Sequence, residues 1–66
     1  MKKTGQIITY NGKYGTIISE NKVIDFCKKD ISFNQNLTVG DVVEFRIEYK
    51  ENNILIAKNV NKMRIN

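Results

Sequence analysis

In the later part of this chain apolar side chains recur at every second position, with Val43, Phe45, Ile47 and Tyr49 alternating with Glu44, Arg46 and Glu48. A period of two sets four large apolar groups on one face of a β-strand and charges on the other, so the apolar face is expected to be core. β-Branched and aromatic residues dominate five such runs, at about 5 to 10, 14 to 20, 22 to 27, 41 to 50 and 54 to 61, separated by turns rich in Asn, Gly and Lys. Helix has little support anywhere.

The turns order these runs. Asn11-Gly12 lies between Ile7-Ile8-Thr9-Tyr10 and Tyr14-Gly15-Thr16-Ile17-Ile18, and because both residues tolerate positive φ it predicts a hairpin between the first two strands. Glu20-Asn21-Lys22 and Glu51-Asn52-Asn53 supply two further tight turns, giving a meander of three strands followed by a hairpin. Five short antiparallel strands in so small a chain cannot cover a flat sheet from both sides. They are expected to curl on themselves, which removes most exposed edge. The expected fold is all-β: one domain, residues 1–66, forming a five-stranded antiparallel OB-type barrel.

Size narrows the function. A chain of 66 residues buries too small a fraction of its surface to house both a large core and a deep catalytic cleft, so an exposed binding face is the expected use. Eleven Lys and Arg against seven Asp and Glu give a net charge of +4, which favours polyanionic partners. One cysteine and no histidine leave no internal disulfide and no metal-ligand cluster, and no cofactor is expected. The usual general base is also missing, and Asp25 and Asp30 read as isolated, so neither an enzyme nor a small-molecule substrate is expected. Cys27 reads as a small surface or half-buried filler, with only Lys28 and Lys29 near it to favour a thiolate. Met1-Lys2-Lys3 is followed by Thr4-Gly5-Gln6 without a signal-like apolar run, and no segment approaches a membrane span. A cytoplasmic monomer without a membrane partner is the expectation.

Several fragments in order carry a family resemblance. Gly5-Gln6-Ile7, Tyr10-Asn11, Lys13-Tyr14-Gly15-Thr16-Ile17, Leu37-Thr38-Val39-Gly40, Val43-Glu44-Phe45 and Ala57-Lys58-Asn59-Val60 resemble, in sequence and spacing, the cold-shock domain. The third fragment is similar to that family's first RNA-binding motif, Lys-Gly-Phe-Gly-Phe-Ile, one residue shorter. The resemblance implies a barrel that offers rings on an open sheet face for unpaired bases, with Lys and Arg around it for phosphates. Tyr10 and Tyr14 keep rings at matching positions. Thr9 stands where the family has Trp, and Thr16 where the motif has its second Phe. The second motif, Val-Phe-Val-His, aligns with Ile24-Asp25-Phe26-Cys27. In that register Asp25 and Cys27 face outward and Ile24 and Phe26 are core, whereas a shift by one would bury Asp25 without a visible partner.

The nucleic-acid-binding residues implied are Tyr10, Lys13, Tyr14, Thr16, Lys28 and Phe33. Each also has a plainer structural reading: the tyrosines as barrel caps with hydroxyls in water, Phe33 as a plug folded back into a barrel end, the lysines as solubilising charges. The function implied is low-specificity binding of single-stranded RNA or DNA with weakened affinity and RNA-chaperone-like loosening of secondary structure. Two rivals remain. One is a degenerate OB-type domain acting as a protein-interaction module, which Thr9, Thr16 and Asp25 favour; the other is a different small OB module, such as a translation-factor or S1-like domain.

Overall fold

Alternation and turn chemistry produce five strands in the computed structural model, which describes residues 2–33 and 35–63. They are β1 (Lys2–Tyr10), β2 (Tyr14–Ser19), β3 (Lys22–Cys27), β4 (Val42–Tyr49) and β5 (Leu55–Lys62). Single 3₁₀ turns at Lys28–Asp30 and Glu51–Asn53 interrupt the connections. The strands close into a barrel in the order β1-β2-β3-β5-β4, with β4 returning to β1. All pairs are antiparallel except β3 with β5, which run parallel through Asp25 and Ile56. An all-antiparallel barrel was the expectation; the long β3–β4 connection instead lets β5 enter beside β3 in the same direction.

The first strand serves two neighbours. Lys2 to Gln6 pair with Arg46 to Val42 of β4, and Gln6 to Tyr10 pair with Ile18 to Gly15 of β2. The strand therefore starts earlier than the apolar run suggested. At Gly5 an added Cβ would lie 2.6 Å from both Ile17 Cγ2 and the Ile18 carbonyl oxygen, so glycine permits β1 to press against β2 while it changes partners. A bulge at Ile8 shifts the register from Ile7 opposite Ile17 to Thr9 opposite Thr16. Both isoleucines of the first pair are buried, and both threonines of the second reach the outer face.

The turns follow their residues with one difference. Glu20 and Asn21 both adopt positive φ, 51° and 64°, as a two-residue hairpin between Ser19 and Lys22 requires. In the first hairpin only Gly12 does so, at 91°. Asn11 works instead through its side chain, whose Oδ1 accepts the amide N–H groups of Lys13 (2.9 Å) and Tyr14 (2.8 Å).

Ile7, Ile17, Ile24, Phe26, Leu37, Val43, Phe45, Ala57 and Val60 form the core, with Tyr10, Ile31, Ile47 and Leu55 packed against it. Ile24 and Phe26 point inward and Asp25 outward, the register the sequence favours. Tyr49 departs from its expected place. It is 71% exposed, because it ends β4 at the barrel rim, paired with Leu55, where alternation has no opposing layer to face. From the long connection Leu37 fills the core, and Phe33 stays outside at 83% exposure.

A Cβ at Gly15 would stand 2.6 Å from Phe26 Cζ and from the Thr9 carbonyl oxygen, since the Phe26 ring lies across this glycine's backbone. Gly15→Ala is expected to destabilise the barrel by about 1–3 kcal/mol through overpacking, read as a lower urea midpoint with an unchanged slope. An unchanged midpoint would mean that the ring is not confined there.

Candidate nucleic-acid interface

The outward side chains of β1, β2 and β3 form rows set by strand register. Tyr14 faces Cys27 across one pair, Thr9, Thr16 and Asp25 form the next row, and Ile18 faces Val23 in the one after. Asp25 is followed across the parallel seam by Ile56. Thr9 Oγ1 and Thr16 Oγ1 lie 2.7 Å apart and share a hydrogen bond. This row is therefore a hydroxyl pair beside a carboxylate, in the places expected from the sequence register. Asp25 makes no ion pair among the described residues.

Tyr14, 62% exposed, stands where three shallow hollows meet. The first, about 500 Å³, lies over the hydroxyl row and is walled by Tyr10, Gly15, Asp25 and Phe26. The second, about 460 Å³, is lined by Lys13, Cys27, Lys28 and Lys29. The third, about 260 Å³, runs from Tyr14 past Asp25 and Lys29 to Ile56, Lys50 and Lys58 on the β5 side. A ring this exposed beside open hollows leaves surface on which a flat ligand can stack.

The other residues singled out by sequence divide. Lys13 and Lys28 come together on one side of Tyr14, because the Lys28 N–H donates to the Lys13 carbonyl at 2.8 Å and ties the first hairpin to the end of β3. Thr16 lies beside Tyr14, partly buried, with its hydroxyl engaged by Thr9. Tyr10 is half-buried, its ring stacked on Phe26 with centroids 5.4 Å apart, so it walls the first hollow and also caps the core. Phe33 lines none of these three hollows. It has φ of 59°, and its neighbours are pinned to β5: the Ser32 N–H donates to the Val60 carbonyl, and the Gln35 amide donates to Ser32 and to Asn61 Oδ1. Ser32 opens on a separate hollow with Lys2, Glu44, Arg46, Asn59 and Asn61.

Charge pairing decides which cations are free. Lys2 with Glu44, Lys3 with Glu20, Lys50 with Glu48, Lys58 with Asp30 and Lys62 with Asp41 form ion pairs. Lys13, Lys28 and Lys29 form none among the described residues, and all three line the hollow on one side of Tyr14. Lys29, directly after Lys28 in sequence, joins the lysines expected there.

Asp30 is not isolated, as the sequence suggested. Its carboxylate is buried and accepts hydrogen bonds from Lys58 Nζ (2.8 Å), the Cys27 N–H (3.1 Å) and the Cys27 thiol (3.3 Å). Cys27 thus has an acidic neighbour as well as the two lysines. Burial pushes the Asp30 pKa upward, but the bonds from Lys58 and Cys27, with the Lys58 charge, outweigh it and hold the carboxyl below its ordinary value of 3.8. Lys58 is raised above 10.5, chiefly by its hydrogen bond to Asp30. The cluster anchors the turn that carries Lys28 and Lys29.

A carboxyl with a depressed folded pKa contributes stability that is present above its unfolded value and lost as pH falls through the folded one. Asp30→Asn is therefore expected to cost about 1–3 kcal/mol at neutral pH, where a charged acceptor becomes a neutral one. The difference from the native chain should shrink as pH drops below 3.8. Denaturant titrations at neutral pH and in acid check this, and a pH-independent difference would contradict the ion pair.

No family model matches this chain, and no curated protein matches it, so its chemistry rests on its own residues.

Proposed function

We propose that this barrel binds single-stranded RNA or DNA weakly and with little overall sequence preference, loosening secondary structure in the manner of a cold-shock domain. The observation that carries the reading is the convergence of one exposed strand tyrosine, Tyr14, with three unpaired lysines, Lys13, Lys28 and Lys29, around a single hollow. An unpaired base stacked on an aromatic ring gains about 1–3 kcal/mol, and lysines beside the ring hold the adjoining phosphates. Thr9, Thr16 and Asp25 supply no ring, so phosphate contacts carry a larger share of the affinity than on a fully aromatic platform. Such a partner needs no cofactor and no enclosed pocket.

Tyr14→Ala is expected to weaken binding to labelled oligouridine by about 1–3 kcal/mol, measured by fluorescence anisotropy at fixed salt. Lys28→Gln and Lys29→Gln should each lower the slope of log affinity against log salt by about 0.7, the share of one single-strand phosphate. Asp25→Phe should tighten the same complex, by up to about 1–3 kcal/mol, at unchanged thermal stability, because position 25 is exposed and the new ring extends the platform. If neither oligothymidine nor oligouridine binds, the protein-interaction reading takes over, and the exposed Ile18 and Val23, paired across β2 and β3, mark its contact surface.

A further inference from the structure

A free carboxylate on a surface that meets a polyanion has to be explained. Asp25 lies on the face that carries Tyr14, opposite Thr16, and lines two of the three hollows around that ring. Tyr14 pairs with Cys27, two residues along β3 from Asp25, so ring and carboxylate are diagonal neighbours on one sheet face, within reach of a single flat ligand. Glu20, Asp30, Asp41, Glu44 and Glu48 are paired with lysine, whereas Asp25 and Glu51 make no ion pair among the described residues, and of these two only Asp25 lies on the face of Tyr14. Its side chain is exposed, and Thr16 beside it already shares its hydroxyl with Thr9. Both carboxylate oxygens are left available as acceptors.

A carboxylate can only accept hydrogen bonds, and its two oxygens match a base edge that presents two adjacent donors. Guanine does so, with N1–H beside the N2 amino group. Cytosine and adenine present one amino donor next to a bare ring nitrogen, and uracil or thymine present one N–H between two carbonyls. Each of these edges sets a lone pair against the carboxylate. We propose that Asp25 makes this surface select an unpaired guanine, stacked on Tyr14 with its Watson–Crick edge held by the carboxylate, at one position of an otherwise sequence-tolerant strand. The first hollow, about 500 Å³ and open to solvent, admits a purine from a strand running over the face without enclosing it. The assignment rests on the single-strand binding proposed above and adds to it a preferred base and the residue that reads it.

Three labelled RNA hexamers, all-uridine, uridine with one central guanosine, and uridine with one central inosine, test it by anisotropy at two salt concentrations. The guanosine hexamer should bind about fivefold or more tighter than all-uridine, the lower end of what a bidentate side-chain pair discriminates. Inosine, which keeps N1–H and lacks the amino group, should fall between them. In Asp25→Asn the guanosine preference should collapse, while all-uridine binding is retained or tightens, because a like charge leaves the path of the phosphates. Equal binding of all three hexamers with a steep salt dependence would overturn the guanine assignment and leave the single-strand reading standing. A guanosine preference that survives Asp25→Asn would also overturn it, because another group would then be the reader. Guanosine monophosphate competing as well as the guanosine hexamer would point to a free nucleotide and overturn the strand. No binding to any hexamer would overturn both proposals.

Discussion

The ring of Phe26 occupies the space where a side chain at position 15 would stand, and the geometry of the exposed face follows from that contact. With Gly15 beneath it and Tyr10 stacked on it, the ring closes one end of the barrel core. Because strand side chains alternate, holding Phe26 inward sends Asp25 and Cys27 outward. It also brings Gly15 opposite Phe26, so that Tyr14 and Thr16 on either side of the glycine share the outer face. The opposite register would bury the Asp25 carboxylate, at a cost that no cation inside this core offsets.

Electrostatics then determines what the face attracts. Most of the ion pairs join exposed side chains and add little to stability. Their larger effect is on the distribution of charge: they pair Lys2, Lys3 and Lys62 elsewhere and Lys50 and Lys58 on the β5 side of Tyr14, while Lys13, Lys28 and Lys29 stay unpaired on its other side. Lys58 with Asp30 differs in kind. That carboxylate is buried, carries three hydrogen bonds, and ties β5 to the turn after β3 near the parallel seam, where the named strands share one bridge pair. The isolated bridge between Ile31 and Val60 continues the same closure.

Three aromatic residues, Tyr10, Tyr14 and Phe33, illustrate how exposure alone misleads. Tyr10 and Tyr14 lie four residues apart around one hairpin and look equivalent in sequence. The bulge at Ile8 and the close approach at Gly15 turn Tyr10 against Phe26 and leave Tyr14 standing free. Phe33 is the most exposed of the three rings, yet the hydrogen bonds of Ser32 and Gln35 hold its loop against β5, and it lines none of the hollows around Tyr14.

What the sequence determined by itself was local. Period-two alternation, Asn and Gly turns, and the penalty for burying a lone carboxylate were sufficient for five strands, three turns and the facing of Asp25, since each depends on neighbours within a few residues. Tyr14, Thr16, Lys13 and Lys28 were legible as candidate site residues for the same reason, through the strands and turns that carry them. Tertiary structure alone decided the contacts made across long stretches of chain. The Asp30–Lys58 pair joins positions 28 residues apart; the parallel entry of β5 beside β3 and the exposure of Tyr49 at the barrel rim likewise depend on closure. Side-chain periodicity states which way a residue points from its own strand. It carries no information about which other strand, or none, lies there to meet it.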